Sequence, residues 1–323
     1  MKSKSTFRSF LCVAAFAFAG SVCGGEVHKV PDGAVPKLAF ITNNPSEFWK
    51  IAAKGLEKFE KETGVKVDLK MPPNGKVEEQ KKIVEDLTSQ GYNGIAISAI
   101  APADQIRDLN KAGKKMNVIC HDSDAAGSNR LAYIGTNNFE AGKALGEELK
   151  KRLPNGGKLA VFVGTFSADN ATQRLNGIKE ALKGSNISVI AQKEDNKDMT
   201  KARTNVEDVM NSYPDVTVLA GLWSYNTPAI AAAVGASPKK GKITIIGFDE
   251  EDQTLAGIED GSIAYTVVQK PFEFGYQSAK LLYDLAKRGD AALPKSPLID
   301  TGIDVIDAKN VKSFKEKLAD MKK

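Results

Sequence analysis

Short β-rich runs alternating with longer stretches of helical period, a strand–turn–helix pattern that occurs twice, and a length of 323 residues point to one fold class. They predict an α/β protein of two similar Rossmann-like lobes, each a parallel sheet flanked by helices, joined by a multi-strand hinge. With 42% hydrophobic and 26% charged residues, the chain has ordinary globular composition and enough length for two cores. The repeat is visible directly: "KLAFITNNPSEFWKIAAKGLEKF" is echoed by "KLAVFVGTFSADNATQRLNGIKEAL", each a strand, a polar turn and a helix with a glycine near its middle.

Residues 1–25 carry Lys2, Lys4 and Arg8, then an apolar run from Phe10 to Ala19, then small residues, the layout of a secretory signal peptide. The apolar run is too short to span a bilayer. Cleavage is expected after Ala19 or nearer Gly25. Cys23 follows small residues as a lipoprotein acceptor would, although Val22 stands where that motif has Gly, Ala or Ser, so a free or a lipid-anchored product is open at this stage. Removing the three cations lowers the net charge from +5 to about +2, which leaves no basic surplus for nucleic acid or acidic membranes. Cys120 is then alone within an apolar strand, "NVIC", and reads as a buried small hydrophobe rather than a catalytic thiol.

A linker at 26–36 leads to the first lobe, expected over 37–136 plus 270–298. Its strands are read at 37–42, 65–70, 94–98, 117–121 and 131–135. Between the first two, Ile51, Leu56 and Phe59 fall near one helical face, and Gly64 stands where a helix would be capped. The second lobe, expected over 137–269 plus 299–323, repeats the plan with strands at 187–192, 216–221 and 243–248 after the echoed "KLAVFVG". The return strand "SIAYTVVQK", the helix after Pro271 and the extended "PLIDTGIDVID" are left over, and they let the chain complete each lobe from the other side. Several connections imply a hinge and a cleft, and ligands of open α/β sheets sit beyond the carboxyl ends of the strands.

Polar residues and rings follow nearly every apolar strand. The first lobe offers Asn43, Asn44, Phe48 and Trp49, then Asp122 and Asp124, then Asn137 and Asn138. The second offers Asp169, Asn170 and Arg174, then Trp223, Tyr225 and Asn226, then Phe248 and Asp249, and Gln269 ends the return strand. Carboxylates and amides exchange hydrogen bonds with vicinal hydroxyls, a guanidinium donates to two oxygens, and flat rings cover the C–H face of a sugar. Metal-ligand spacings and Gly-rich phosphate motifs are missing from the sequence, so no metal or cofactor is expected. Each residue also has a structural reading: Asn43 and Asn44 as turn formers, Asn137, Asn138 and Asp249 as helix caps, and one of Phe48 and Trp49 as core. Arg174 is placed in a first helical turn, where a cation faces the wrong end of the dipole and calls for a compensating partner.

In the order and spacing of these segments, from about Lys37 to about Ile306, the chain resembles the periplasmic sugar-binding proteins of the ribose-binding type, the soluble receptors of ABC importers. "NNPSEFW" is similar to that family's asparagine–proline–aromatic segment, "VICHDSD" to its ligand-aspartate strand end, and "ATQRLNG" to its Arg-x-x-Gly helix start. "WSYN", "IGFDEE" and "VVQKP" follow in the family's order. The resemblance implies a monosaccharide or polyol held by Asn44, Phe48, Trp49, Asp122, Asn170, Arg174, Trp223, Asn226, Asp249 and Gln269. Ser46 and Glu47 look like an insertion that leaves either ring to stack. Ala99, Ala101 and Ser123 depart from the ribose binders, which leaves hexose, other pentose and polyol open.

The same resemblance implies a monomeric, exported, non-enzymatic receptor that docks transiently on a membrane permease or reports to a chemosensor or sensor kinase. A sugar-responsive repressor would carry a helix-turn-helix where this chain has an export signal. A glycosidase would need two positioned carboxylates, which Asp122 with Asp249 would mimic, yet nothing in the sequence makes one of them an acid of raised pKa.

Overall fold

The computed structural model describes residues 25–46 and 48–322. The expected export segment up to residue 24, Cys23 and Glu47 lie outside the described residues. The first sheet contains β1 (Leu38–Ile41), β2 (Val67–Lys70), β3 (Gly94–Ile97), β4 (Asn117–His121) and β5 (Tyr133–Gly135). The second contains β6 (Gly157–Val163), β7 (Ile187–Glu194), β8 (Val218–Gly221), β9 (Thr244–Phe248) and β10 (Tyr265–Val268). The extended tail splits: β11 (Leu298–Asp300) joins the first sheet and β12 (Asp304–Asp307) the second.

The two sheets have the same order, β11-β5-β4-β3-β1-β2 and β12-β10-β9-β8-β6-β7, so the internal repeat of the sequence is a repeat of topology. Every pairing is parallel except β10 with β12. Inner strands such as β1, β3, β4 and β8 are buried at every residue, as expected where helices cover both faces. The edge strand β7 is mostly half-buried or exposed.

Helices α1 (Phe48–Thr63), α2 (Val77–Ser89), α3 (Pro102–Gly113) and α9 (Pro271–Arg288) belong to the first lobe. Helices α4 (Asn138–Arg152), α5 (Asp169–Ala181), α6 (Met199–Ser212), α7 (Asn226–Gly235), α8 (Asp252–Glu259) and α10 (Val311–Lys322) belong to the second. In α1 the buried residues Trp49, Ile51, Ala52, Gly55, Leu56 and Phe59 form one face, and Gly64 ends the helix at φ 71°. The repeated mid-helix glycine has a packing cause. A Cβ on Gly55 would lie 2.1 Å from Phe272 O, and one on Gly177 would lie 2.0 Å from Phe139 O, so α1 meets α9 and α5 meets α4 backbone to backbone.

The chain passes between the lobes around 136–137, around 269–270 and at 301–303. The last crossing corrects the sequence reading, which placed it after residue 298. Ile299 and Asp300 pair with Ile134 and Gly135 in the first sheet, and only after Gly302, at φ 77°, does the strand resume in the second.

Candidate functional site

The carboxyl ends of both sheets face a cavity of about 480 Å³ between the lobes. Nine of the ten residues singled out from the sequence line it: Asn44, Phe48, Trp49, Asp122, Asn170, Arg174, Trp223, Asp249 and Gln269. Asn226 does not. It is the first residue of α7, buried, and its Nδ2 donates to Asp195 Oδ2 at 2.9 Å while its Oδ1 accepts from Trp223 N at 3.2 Å. Its role is to brace the wall from behind, a correction to the ligand contact expected of it.

On the first lobe, the turn after β1 is folded by its own amides. Asn44 Oδ1 accepts from Ser46 N at 3.1 Å and from Trp49 Nε1 at 3.2 Å, which leaves the Asn44 amide nitrogen as its remaining donor. Trp49 is core: it is 1% exposed, lies against Phe40 and His121 at centroid distances of 6.1 and 5.3 Å, and meets the cavity only along its wall. Phe48 is half-buried, edge-on to Trp49 at 4.9 Å, and is the ring with a free surface. His121 stacks on Phe40 at 3.8 Å, and burial drives its imidazole down to about 3, so it is neutral structural material. Cys120 is likewise buried and its thiol is pushed up to about 12 by desolvation, as a core residue.

Asp122 follows β4 at φ 55° and Asp249 follows β9 at φ 69°, a backbone region that side chains rarely adopt. Asp122 Oδ2 accepts from Ser98 Oγ at 2.6 Å and Asn43 Nδ2 at 3.1 Å, and Asp249 Oδ1 accepts from Gln269 Nε2 at 2.8 Å. Burial pushes the Asp122 carboxyl up to about 6, opposed by Ser98 and Arg174 and assisted by the charge of Asp249. Asp249 is raised as well, again by burial, with Arg174 the main opposing influence.

Arg174 is the cation whose charge acts on both carboxylates. It is the sixth residue of α5, so it lies in the second turn rather than the first, and the dipole conflict read from the sequence does not arise. The guanidinium is 1% exposed, lies 4.3 Å from the centroid of the Phe248 ring, and donates from Nε to Asn138 Oδ1 at 2.9 Å and from Nη1 to Leu222 O at 2.6 Å. Its Nη2 has no partner among the described residues, nor do Asn43 Oδ1 and Gln269 Oε1, and all three residues line the cavity. The same lobe carries Trp223, whose Nε1 donates to Asn170 Oδ1 at 3.2 Å. Gly164 makes room for that ring, since a Cβ there would lie 2.2 Å from Trp223 Cζ3.

At other strand exits the structural alternatives prevail. Asp124 is engaged by both ends of the buried Arg130 guanidinium, Asn137 caps α4 by accepting from Glu140 N, and Asp169 accepts from Gln173. Sequence reasoning passed over the exits of the edge strands β2 and β7, which bring Pro73, Asn74, Lys197 and Met199 to the cavity. The polar runs "MPPNGK" and "KEDNKD" were the available signal. Among the described residues no cluster of three His, Cys, Asp or Glu could hold a metal, and no helix is long and apolar enough to cross a membrane.

The pattern of the periplasmic binding protein domain matches residues 38–291. The D-allose-binding periplasmic protein of Escherichia coli is 27% identical over 292 residues, covering 87% of this chain and 94% of the relative. The ribose import binding protein of Bacillus subtilis is 27% identical over 249 residues, covering 75% and 78%. Among solved structures, an ABC transporter solute-binding protein of Burkholderia graminis in complex with D-arabinose is 30% identical with a TM-score of 0.82, over 88% of this chain and 99% of that one. The XylFII–LytSN complex contains a chain 28% identical, with a TM-score of 0.77, over 85% and 99%.

Proposed function

The chain belongs to the periplasmic binding protein family, and on that premise we propose that it is an exported receptor that captures a monosaccharide or polyol between its lobes and delivers it to an ABC importer. One observation carries this reading. Asn43, Arg174 and Gln269 line one cavity, and each carries a buried polar atom of different chemistry, Oδ1, Nη2 and Oε1, with no partner among the described residues, beside two carboxylates and the half-buried rings of Phe48 and Trp223. An unpartnered buried polar atom is costly, and a molecule whose hydroxyls both donate and accept satisfies all three. The rings offer surface to its C–H face.

The relatives named for D-allose and ribose, and the neighbour solved in complex with D-arabinose, support a neutral aldose as the first ligand to test. In this reading Asn44, Asp122 and Phe48 bind first-lobe hydroxyls and one ring face, while Asn170, Arg174, Trp223, Asp249 and Gln269 engage from the second lobe, and Asn226 supports Trp223. Closure about the three crossings is favoured by the contacts it adds. The protein acts as a monomer outside the cytoplasm, performs no chemistry on the sugar, and meets a permease transiently. Likeness to a chain solved together with LytSN supports a second reading, in which the filled receptor reports to a sensor.

Calorimetric titration of Arg174→Ala and Asp249→Ala tests the site. Each should weaken sugar binding by about 10- to 100-fold, because a charged partner is left unpaired in a desolvated cleft. Unchanged affinity in both variants contradicts the assignment, and turnover of the sugar contradicts the receptor.

A further inference from the structure

Lys197 and Gly75 are the tips of equivalent turns. Lys197 follows β7 and Gly75 follows β2, the corresponding edge strands of the two sheets, and the Lys197 Nζ donates across the cleft to Gly75 O at 3.0 Å. The turn that carries Lys197 is built with unusual care. Asp195, 1% exposed, accepts from Tyr225 Oη at 2.5 Å, from Asn226 Nδ2 at 2.9 Å and from Lys197 N at 2.8 Å. Asn196 and Lys197 are consecutive non-glycine residues in the left-handed region, at φ 56° and 66°, and Asn196 N is tied to Gly164 O at 2.8 Å. Gly75, at φ 62°, is pressed against the opposite wall, where a Cβ would lie 3.2 Å from Asn43 O.

The ammonium so placed lines the same cavity as Arg174. The two cations differ in their surroundings: the charge of Arg174 acts on the carboxylates of Asp122 and Asp249, whereas burial alone pulls Lys197 below the usual lysine range. One of its three N–H groups is used by Gly75, and two are left for acceptors in the cavity. Its carbonyl anchor lies on the other lobe, so this geometry exists only when the lobes are together.

We propose that Lys197 is a specificity-determining residue of the cleft, which bridges to Gly75 on closure and donates to an oxygen of the bound ligand. The proposal rests on the receptor reading above. It also gives Asn226 and Tyr225 their purpose: through Asp195 they fix the turn that aims Lys197.

The test is Lys197→Met, which keeps the length of the side chain and removes the charge, beside Lys197→Arg, which keeps the charge. Affinity and dissociation rate are read from the tryptophan fluorescence of the protein with the tightest-binding member of a panel of neutral aldoses and polyols. Lys197→Met should lose about 10- to 100-fold in affinity, mostly as faster dissociation, with Lys197→Arg retaining most of it. Affinity and dissociation of Lys197→Met within about twofold of wild type overturn the proposal. If the wild type binds no member of the panel, the sugar reading fails instead, and solution scattering of the protein alone decides the bridge. A larger radius of gyration for Lys197→Met supports the bridge, and superimposable profiles overturn it.

Discussion

Asp122 and Asp249 occupy the same place in the two lobes. Each follows the equivalent strand, β4 or β9, in the left-handed region, and each has its main-chain carbonyl held by a hydroxyl of the next strand in the sheet, Tyr133 Oη at 2.9 Å and Thr266 Oγ1 at 2.9 Å. The duplicated fold thus brings two buried carboxylates to one cavity, and Arg174 is the cation whose charge favours the ionised form of both.

Stability should depend on pH through Asp122. Burial lifts this carboxyl from 3.8 to about 6, so between these values the folded chain holds a proton that the unfolded chain has released. The stabilising contribution is complete below the unfolded value and is lost as the pH rises through about 6, roughly 3 kcal/mol in all. Asp122→Asn should therefore be more stable than wild type at pH 7.5 and about equal to it near pH 4 in urea unfolding. The same difference at both pH values would refute this.

Removing the cation should have the opposite effect. Arg174→Met leaves both carboxylates buried without it, at a cost of about 3–5 kcal/mol. Urea midpoints should fall further at pH 8 than at pH 5, where the carboxyls can take up protons, and adding Asp249→Asn should recover part of the loss. A pH-independent loss would mean that Arg174 matters only through its packing on Phe248.

The adjacent rings of α1 should separate by readout. Trp49→Ala empties a core position and should cost about 3–5 kcal/mol of stability. Phe48→Ala should cost less stability yet weaken sugar binding by about 3- to 10-fold. Equal stability losses, or sugar affinity indifferent to Phe48, would contradict the division of labour.

Gly142→Ala and Gly275→Ala each place a Cβ 2.0 Å from a facing carbonyl, Arg174 O and Ala52 O respectively. Each should cost about 1–3 kcal/mol or more by forcing its helix pair apart. Only Gly142→Ala should also weaken ligand binding, because the backbone it displaces is that of Arg174. Calorimetry on both variants checks the contrast.

The duplicated lobes were legible because a parallel sheet covered on both faces writes itself as continuous apolar runs, as in β1 and β8, and the close helix pairs require glycine at a fixed place. Polar residues at the exits of inner strands stood out against that background. Asn226 was expected at the ligand for a physical reason: a polar residue at a strand end looks the same whether it faces a cavity or a second polar residue behind the wall, here Asp195. Lys197 was missed because β7 is a half-exposed edge strand, whose exit has little contrast with the strand itself. The third crossing was misplaced by a few residues because "PLIDTGIDVID" is uniformly extended, and only pairing partners divide it at 301–303.

The central claim, that the cleft holds a small hydroxylated molecule, is tested most directly by thermal melting of the mature protein against a panel of aldoses, ketoses and polyols. A ligand at a hundredfold excess over its Kd should stabilise the fold by about 2.7 kcal/mol and raise the melting temperature by several degrees, for one sugar or a small group of stereochemically related ones. A panel in which no member shifts the melting temperature would contradict the account.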